Sequence, residues 1–309
     1  MERLRYELYA PAGGTSTYYI DLSQSLSLQT RKLHRQHRVY TVLGGLLSDS
    51  NQDASITINT APHTWVTRTA IRRGFRMWQK MVRQHTSEAD TKLSMLEGKW
   101  ADWKIYLDAA HQAGGANALP RDGSTPSQAI SSTGEWSYSR YVSEDINWAS
   151  ASLLTASDRN ADEFYAHIVG EHAGSASNWA SIGLIKSWIE TRPQPQATPN
   201  ISPGMGIGDD PLSSIFDEAD AQDEVLENLA DDNDEPPYDE DTLFGYYPAG
   251  GGTQLQRQAM AFCTSANRIV PVNGFHAIHG LMQVNVTSNL PQAGNVTLLL
   301  DVDPQGVKV

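Results

Sequence analysis

The sequence holds one cysteine, Cys263, so no disulfide can close within the chain. It has no run of about 18 apolar residues, which excludes a membrane-crossing helix. Met1-Glu2-Arg3-Leu4-Arg5 leads into no apolar stretch, so no secretion signal is expected. The Asn-x-Ser/Thr triplets at Asn200, Asn285 and Asn295 carry weight only in a secreted chain. No G-x-S-x-G occurs, which removes the nucleophile elbow of the α/β-hydrolases. Positive charge is scarce: 23 Lys and Arg stand against 36 Asp and Glu, a net charge of −13. Not one Lys or Arg lies between Arg192 and Arg257, and that gap holds 15 acids. Fifteen of the 23 basic residues lie at or before Lys104. The chain is electrically two-sided, which bears on partners more than its net charge does.

What is present is alternation. Ile278, Met282, Val284 and Val286 share one parity, Leu290 to Asn295 reads as a turn, and Val296, Leu298, Leu300 and Val302 alternate again. Period two means a strand with one buried face, and two such runs around a turn predict an antiparallel hairpin. A hairpin alone is marginal, so its partners are sought near the start of the chain. There, Tyr18, Ile20, Leu22, Leu26 and Leu28 predict a long strand over 17–30, bulged at Gln24. Val39 to Leu47 predicts a second strand, buried on both faces, and Ala54 to Asn59 a third, with Ile56 and Ile58 inward. Residues 1–14 read as a short arm closing at Pro11-Ala12-Gly13-Gly14.

After Pro62 the period changes. Ile71, Phe75, Trp78 and Val82 form one helical stripe, and a second helix is expected from an N-cap at Ser87 to about Trp100. Trp103 to Asp108 fits a strand or the end of that helix, and 111–134 a long loop. Glu135 to Val142, Trp148 to Thr155, Glu163 to Val169 and Trp179 to Ile189 are four more candidate strands. Three parts follow: 1–192, with a helical insertion at about 65–110; a Pro-rich, acidic linker over 193–250; and terminal strands over 251–309. About nine strands without alternating helices predict a mainly β fold, an antiparallel sandwich with inserted helices and long loops.

The motifs that would carry chemistry fail on spacing. His167-Ile168-Val169-Gly170-Glu171-His172 sets its histidines five apart, not the four that place a zinc pair on one helical face. His276 and His279 read as ordinary strand histidines on opposite faces. Gly204-Met205-Gly206-Ile207-Gly208-Asp209 lacks the third glycine of a dinucleotide fingerprint and follows no strand. Cys263 reads as a small buried hydrophobe. Carboxylates are plentiful, but nothing singles out a catalytic pair. No catalytic residue, metal ligand or cofactor is assigned.

The candidate site residues are charged. Arg31, Lys32, Arg35 and Arg38 crowd one connection, and Arg68, Arg72, Arg76, Lys80 and Arg83 cover one side of a helix. Both sets suit a plain solvated face, a phosphate backbone, an inter-subunit contact, or the chain's own acidic segment with Asp217, Glu218, Asp220, Asp223, Glu224 and Glu227. The eight tryptophans fit a core, with some left for interfaces.

Three segments resemble coat proteins of small icosahedral DNA viruses of the environmental and marine type. They are Asn59 to Arg68 continuing to Trp78-Gln79-Lys80-Met81, then Gly98-Lys99-Trp100-Ala101-Asp102-Trp103-Lys104, and Gly134-Glu135-Trp136-Ser137-Tyr138-Ser139. The resemblance covers about a third of the chain. It implies a jelly roll of eight strands in two facing sheets, with first and last strands adjacent. Those would be 17–30 and 296–303, with 276–287 the strand before the last. It also implies a virion protein, made in the host cell, that assembles with many copies of itself. Packaged DNA and an internal membrane are its candidate partners. The family's basic N-terminal arm is reduced here to Arg3 and Arg5. The alternatives are a non-viral sandwich that binds glycans and a carboxylate-pair hydrolase.

Overall fold

The structure is a computed structural model of the chain. It describes residues 1–49, 53–88, 100, 102–114, 116–121, 134–143, 162–175, 178–191, 255–264, 266–288 and 293–308.

Alternation starts at once. In β1 (Glu2–Ala10), Leu4, Tyr6, Leu8 and Ala10 are buried while their neighbours face outward. The segment read as an arm is therefore a strand, and Pro11 to Gly14 is its turn, with Gly13 at φ 57°. Next comes β2 (Thr15–Asp21), then a helix, α1 (Leu22–Thr30). The strand expected over 17–30 breaks here because the Asp21 carboxylate accepts from the amides of Ser23 and Gln24, a helix N-cap. Leu22 and Leu26 fit both a period of two and a spacing of four; the cap decides between them. β3 (Arg38–Asp49) is buried on one face only, with Leu43 and Leu46 exposed on the other. β4 (Ala54–Thr60) turns Ile56 and Ile58 inward as expected.

The helical stripe becomes α2 (Trp65–Glu88), which contains Ser87 rather than starting a second helix there. The remainder of that expected helix, 89–99, lies outside the described residues. Beyond it run β5 (Tyr106–Asp108), α3 (Ala109–Gly114), β6 (Arg140–Ser143), β7 (Asp162–Val169), β8 (Ala173–Ser175), β9 (Asn178–Gly183) and α4 (Leu184–Glu190). The loop expected over 111–134 thus begins inside a helix. The strand expected over 179–189 is half strand and half helix, and 148–155 is not described. These strands form a small mixed sheet ordered β5-β7-β9-β8, with β6 also on β7. Its β5–β7 and β7–β9 pairs are parallel, which the antiparallel expectation did not include.

The chain closes with β10 (Gln256–Phe262), β11 (Ile269–Val272), β12 (Phe275–Ile278), β13 (Leu281–Ser288), β14 (Gly294–Val302) and β15 (Val307–Lys308). One sheet runs β1-β14-β3-β11, with β12 and β15 also on β3; the other runs β10-β4-β13-β2. Their inward residues make one core, among them Leu4, Tyr6, Tyr40, Leu47, Leu298 and Leu300 from the first sheet and Ile20, Ile56, Ile58, Met282 and Val284 from the second. This is an antiparallel sandwich. β13 and β14 are not a hairpin: β13 pairs with β2 and β4, and β14 with β1 and β3, in the opposite sheet. The pairs are nested. β1 lies on β14, β2 on β13, β3 on β11 and β12, and β4 on β10. Everything from α2 to α4 is inserted at the tip, between β4 and β10. Gly45 is needed where β3 meets β14, since a Cβ there would lie 2.2 Å from the Leu299 carbonyl oxygen.

The insertion has its own core, built on Ile71, Trp103, Ile105, Ile168 and Ile185, and it takes Ile278 and Leu281 from the sandwich. Gln36 ties the two parts together. Its amide donates to Asp21 Oδ2 and to the Ile105 carbonyl, each at 3.0 Å, and accepts from the Ile105 amide at 2.6 Å. Tyr19, on the outer side of β2, stacks on His111 of α3 with centroids 4.4 Å apart.

Candidate functional site

Pro62 cannot donate to a ladder, so β4 ends before it. Thr64 then opens α2 by accepting from the Thr67 amide at 3.2 Å. The inner face of α2 buries Val66, Ala70 and Ile71. Gly74 lets α4 approach closely, because a Cβ there would sit 2.9 Å from Leu184 Cδ2. Tyr141 fixes the same turn by donating its hydroxyl to the Gly74 carbonyl at 3.1 Å.

With that face buried, helical geometry turns the opposite one to water. It carries Arg72, Arg73, Arg76, Lys80 and Arg83, all exposed. Two shallow clefts run along it. One is lined by Thr69, Arg72, Arg73, Arg76, Met77, Lys80 and Trp188, the next by Arg76, Gln79, Lys80, Arg83 and Gln84. At 1.5 Å per residue the ridge from Arg72 to Arg83 is about 16 Å long. Met77 and Trp65 add exposed apolar surface, and Trp65 meets Trp188 edge-on at 5.3 Å. Arg73 donates to Thr191 Oγ1, which holds the last described residue before the acidic stretch against this helix.

Of the nine basic residues singled out from the sequence, Arg72, Arg76, Lys80 and Arg83 share this ridge. Arg68 stands off it, donating to the His63 ring at 2.8 Å. Burial pushes the His63 imidazole down, and Arg68 and His276 push it the same way. The other group serves structure in part. Arg31 closes α1 in the left-handed region, at φ 57°, with its amide donating to Ser27. Arg38 donates to the Gln305 carbonyl at 2.6 Å. Lys32 and Arg35 are exposed. Arg73 and Trp188 were missed. Arg73 is off the i+4 series chosen for the ridge, yet it precedes Met77 by four and Lys80 by seven, a helical spacing that could have found it. Asp217, Glu218, Asp220, Asp223, Glu224 and Glu227 lie outside the described residues.

The histidines of 167–172 serve packing. His167 Nδ1 meets Ser181 Oγ at 3.0 Å and its Nε2 meets the Glu171 carbonyl at 2.9 Å, while burial holds its pKa down at about 4. The Gly183 amide donates to His172 Nδ1 at 3.1 Å. Among the described residues no group of three His, Cys, Asp or Glu side chains is arranged to hold a metal ion. Cys263 is buried beside the Leu47 and Arg268 carbonyls. The glycine segment 204–209 lies outside the described residues.

No family model, no curated protein and no solved structure matches the chain.

Proposed function

We propose that the chain is the coat subunit of an icosahedral DNA virus, with a jelly-roll body, whose role is self-assembly in many copies rather than catalysis. The observation that carries this reading is the nested pairing of the sandwich. β1–β14, β2–β13, β3–β11/β12 and β4–β10 follow the pattern of one long hairpin folded over on itself, with the first strand beside β14, the last before the two-residue β15. That pattern is what the resemblance of the tryptophan-bearing segments implies, although the first strand is Glu2–Ala10 rather than 17–30.

A fold does not assign a function, so the surface has to agree with it. On the outer face of the first sheet, exposed Leu46 has Leu299 and Pro271 as cross-strand neighbours, with Leu43 and Ile269 also exposed. An exposed apolar patch, set among the polar residues of that face, suits a subunit partly covered by its neighbours. The α2 ridge suits a negative partner. Asp217, Asp220, Glu224 and Glu227 are spaced by three, four and three residues, a helical period over roughly the length of that ridge. We assign the ridge to the acidic segment of a neighbouring copy, in preference to packaged DNA, because the subunit is acidic overall. The virion is then its location, with genome or internal membrane beneath the shell.

Deleting 209–241 tests the assignment. Particle yield should fall and lose its dependence on salt. Unchanged yield with unchanged salt dependence would contradict it. Particles that form normally but release DNA when Arg76 and Lys80 are replaced would move the ridge to the genome.

A further inference from the structure

The turn between β12 and β13 is the point at which the sandwich enters the insertion. Ile278 and Leu281, on either side of it, are buried in the insertion's core rather than in the sandwich's own. Between them, His279 holds φ at 59° and Gly280 at 67°, both left-handed. A Cβ on Gly280 would lie 3.0 Å from the Tyr40 ring and 3.3 Å from Leu22, so the turn has no room to relax. The His279 side chain has no exposed surface, and neither ring nitrogen has a hydrogen-bond partner. Its ring packs edge-on against Trp103 of the insertion, with centroids 5.3 Å apart. Trp103 is fixed on the other side: its indole N–H donates to the Tyr141 hydroxyl at 2.8 Å.

A buried imidazole with both nitrogens unpaired is costly, and a charged one in the same place far costlier. The charged surroundings do not compensate. After burial, His37 is the second influence that holds the His279 pKa down. His37 itself stacks on Phe75 of α2 and points Nδ1 at Asp102, 3.8 Å away. Asp102, Asp21 and Arg38 act on the adjacent Tyr40, while Lys104 is drawn to Asp102 and Asp21. No carboxylate is hydrogen-bonded to His279 itself.

We infer that His279 is an acid-sensitive latch: neutral, it plugs the β12–β13 turn into the insertion, and taking up a proton expels it and parts the insertion from the sandwich. Burial and His37 together hold its pKa at about 3 in the closed state, consistent with that geometry. Once freed, the imidazole returns to its ordinary affinity near pH 6.5, so the opening equilibrium grows as pH falls below that value. Between about pH 7.5 and about pH 5 the gain is about 30-fold. The inference stands whether or not the chain forms a shell.

Amide hydrogen exchange on the full chain, followed at 103–105 and 276–283 and corrected for intrinsic rates, tests it; Leu107 is left out because its amide donates to His111, which also titrates. The latch predicts that protection there drops about 30-fold between those two pH values while β1 and β14 stay protected. His279→Asn keeps a residue tolerant of the left-handed backbone and removes the titration, so it should abolish most of the drop. An equal drop in wild type and variant would overturn the inference, as would simultaneous exposure of β1 and β14. If the variant does not fold, nitrogen NMR of wild-type His279 decides. A ring that stays neutral until the joint opens supports the latch, and one that titrates near pH 6.5 with Trp103 still protected refutes it.

Discussion

Gln36 has no exposed surface, and its amide is spent on one carboxylate and both backbone groups of Ile105. Gln36→Leu would fill the space and leave those partners buried and unpaired. The expected cost is about 3 kcal/mol, read by denaturant unfolding, with exchange at 103–107 rising first. Little loss of stability would mean that the joint does not rest on this residue. Buried histidines set the response to acid. Burial pushes His111 and His167 down to about 4, and His279 to about 3. Their folded forms bind fewer protons than the unfolded chain. Their contribution is therefore complete above about pH 6.5 and is lost as pH falls towards 4, at about 2 kcal/mol each by pH 5. Burial raises Asp21 and Asp108, so those two carboxyls oppose the loss at lower pH. A pH series of circular dichroism should show stability falling steeply between pH 6 and pH 4; a flat profile would contradict the burial of these rings. None of this was legible in the sequence, because a histidine's partners come from elsewhere in the chain. What spacing did establish was negative: histidines five apart at 167 and 172 form no zinc pair, and each hydrogen-bonds a different local partner.

Elements were legible where one period stood alone. Ala54 to Asn59 alternates and is β4; of the helical stripe, Ile71, Phe75 and Trp78 lie on the inner side of α2, while Val82, its fourth member, is exposed. Elements were misread where two periods overlap or where charge hides one. Leu22 and Leu26 fit strand and helix alike, and only the Asp21 cap separates them. β1 alternates from Arg3 to Ala10, yet Arg3, Arg5 and Glu7 on its outer face, behind Glu2 at its start, give it the look of an arm; Arg3 in fact pairs with Asp301 across the ladder at 2.7 Å. Four of the five basic residues expected on one side of α2 are exposed together, while Arg68 turns to His63 and Arg73 joins the ridge unforeseen. Because Arg76 and Lys80 are exposed, replacing both with Glu should leave unfolding free energy within about 0.5 kcal/mol of wild type. The same change should lower particle yield at least tenfold at low salt, measured by sedimentation. Normal yield from the double variant would remove α2 from the assembly contact.

At the scale of the molecule, the sequence revealed strands but not their partners. Leu281–Ser288 and Gly294–Val302 look like a hairpin because a short connection between sheets leaves the same pattern as a turn within one. Which it is depends on β1 and β2, near the other end of the chain, and no local rule reaches that far. The inserted sheet escaped for a related reason: its parallel pairs need crossovers, and Ala and Ser dilute its pattern. The basic half of the electrical asymmetry becomes a helix that holds Thr191, the last described residue before the acidic stretch. Nested strands, an exposed apolar patch on the first sheet and a charged ridge are the observations on which the proposed self-assembling subunit rests. Negative-stain microscopy of the purified full chain, at low and at high salt, tests that most directly. The account predicts closed particles of uniform size, with yield that changes with salt. A strict 33.9 kDa monomer under every condition would contradict it.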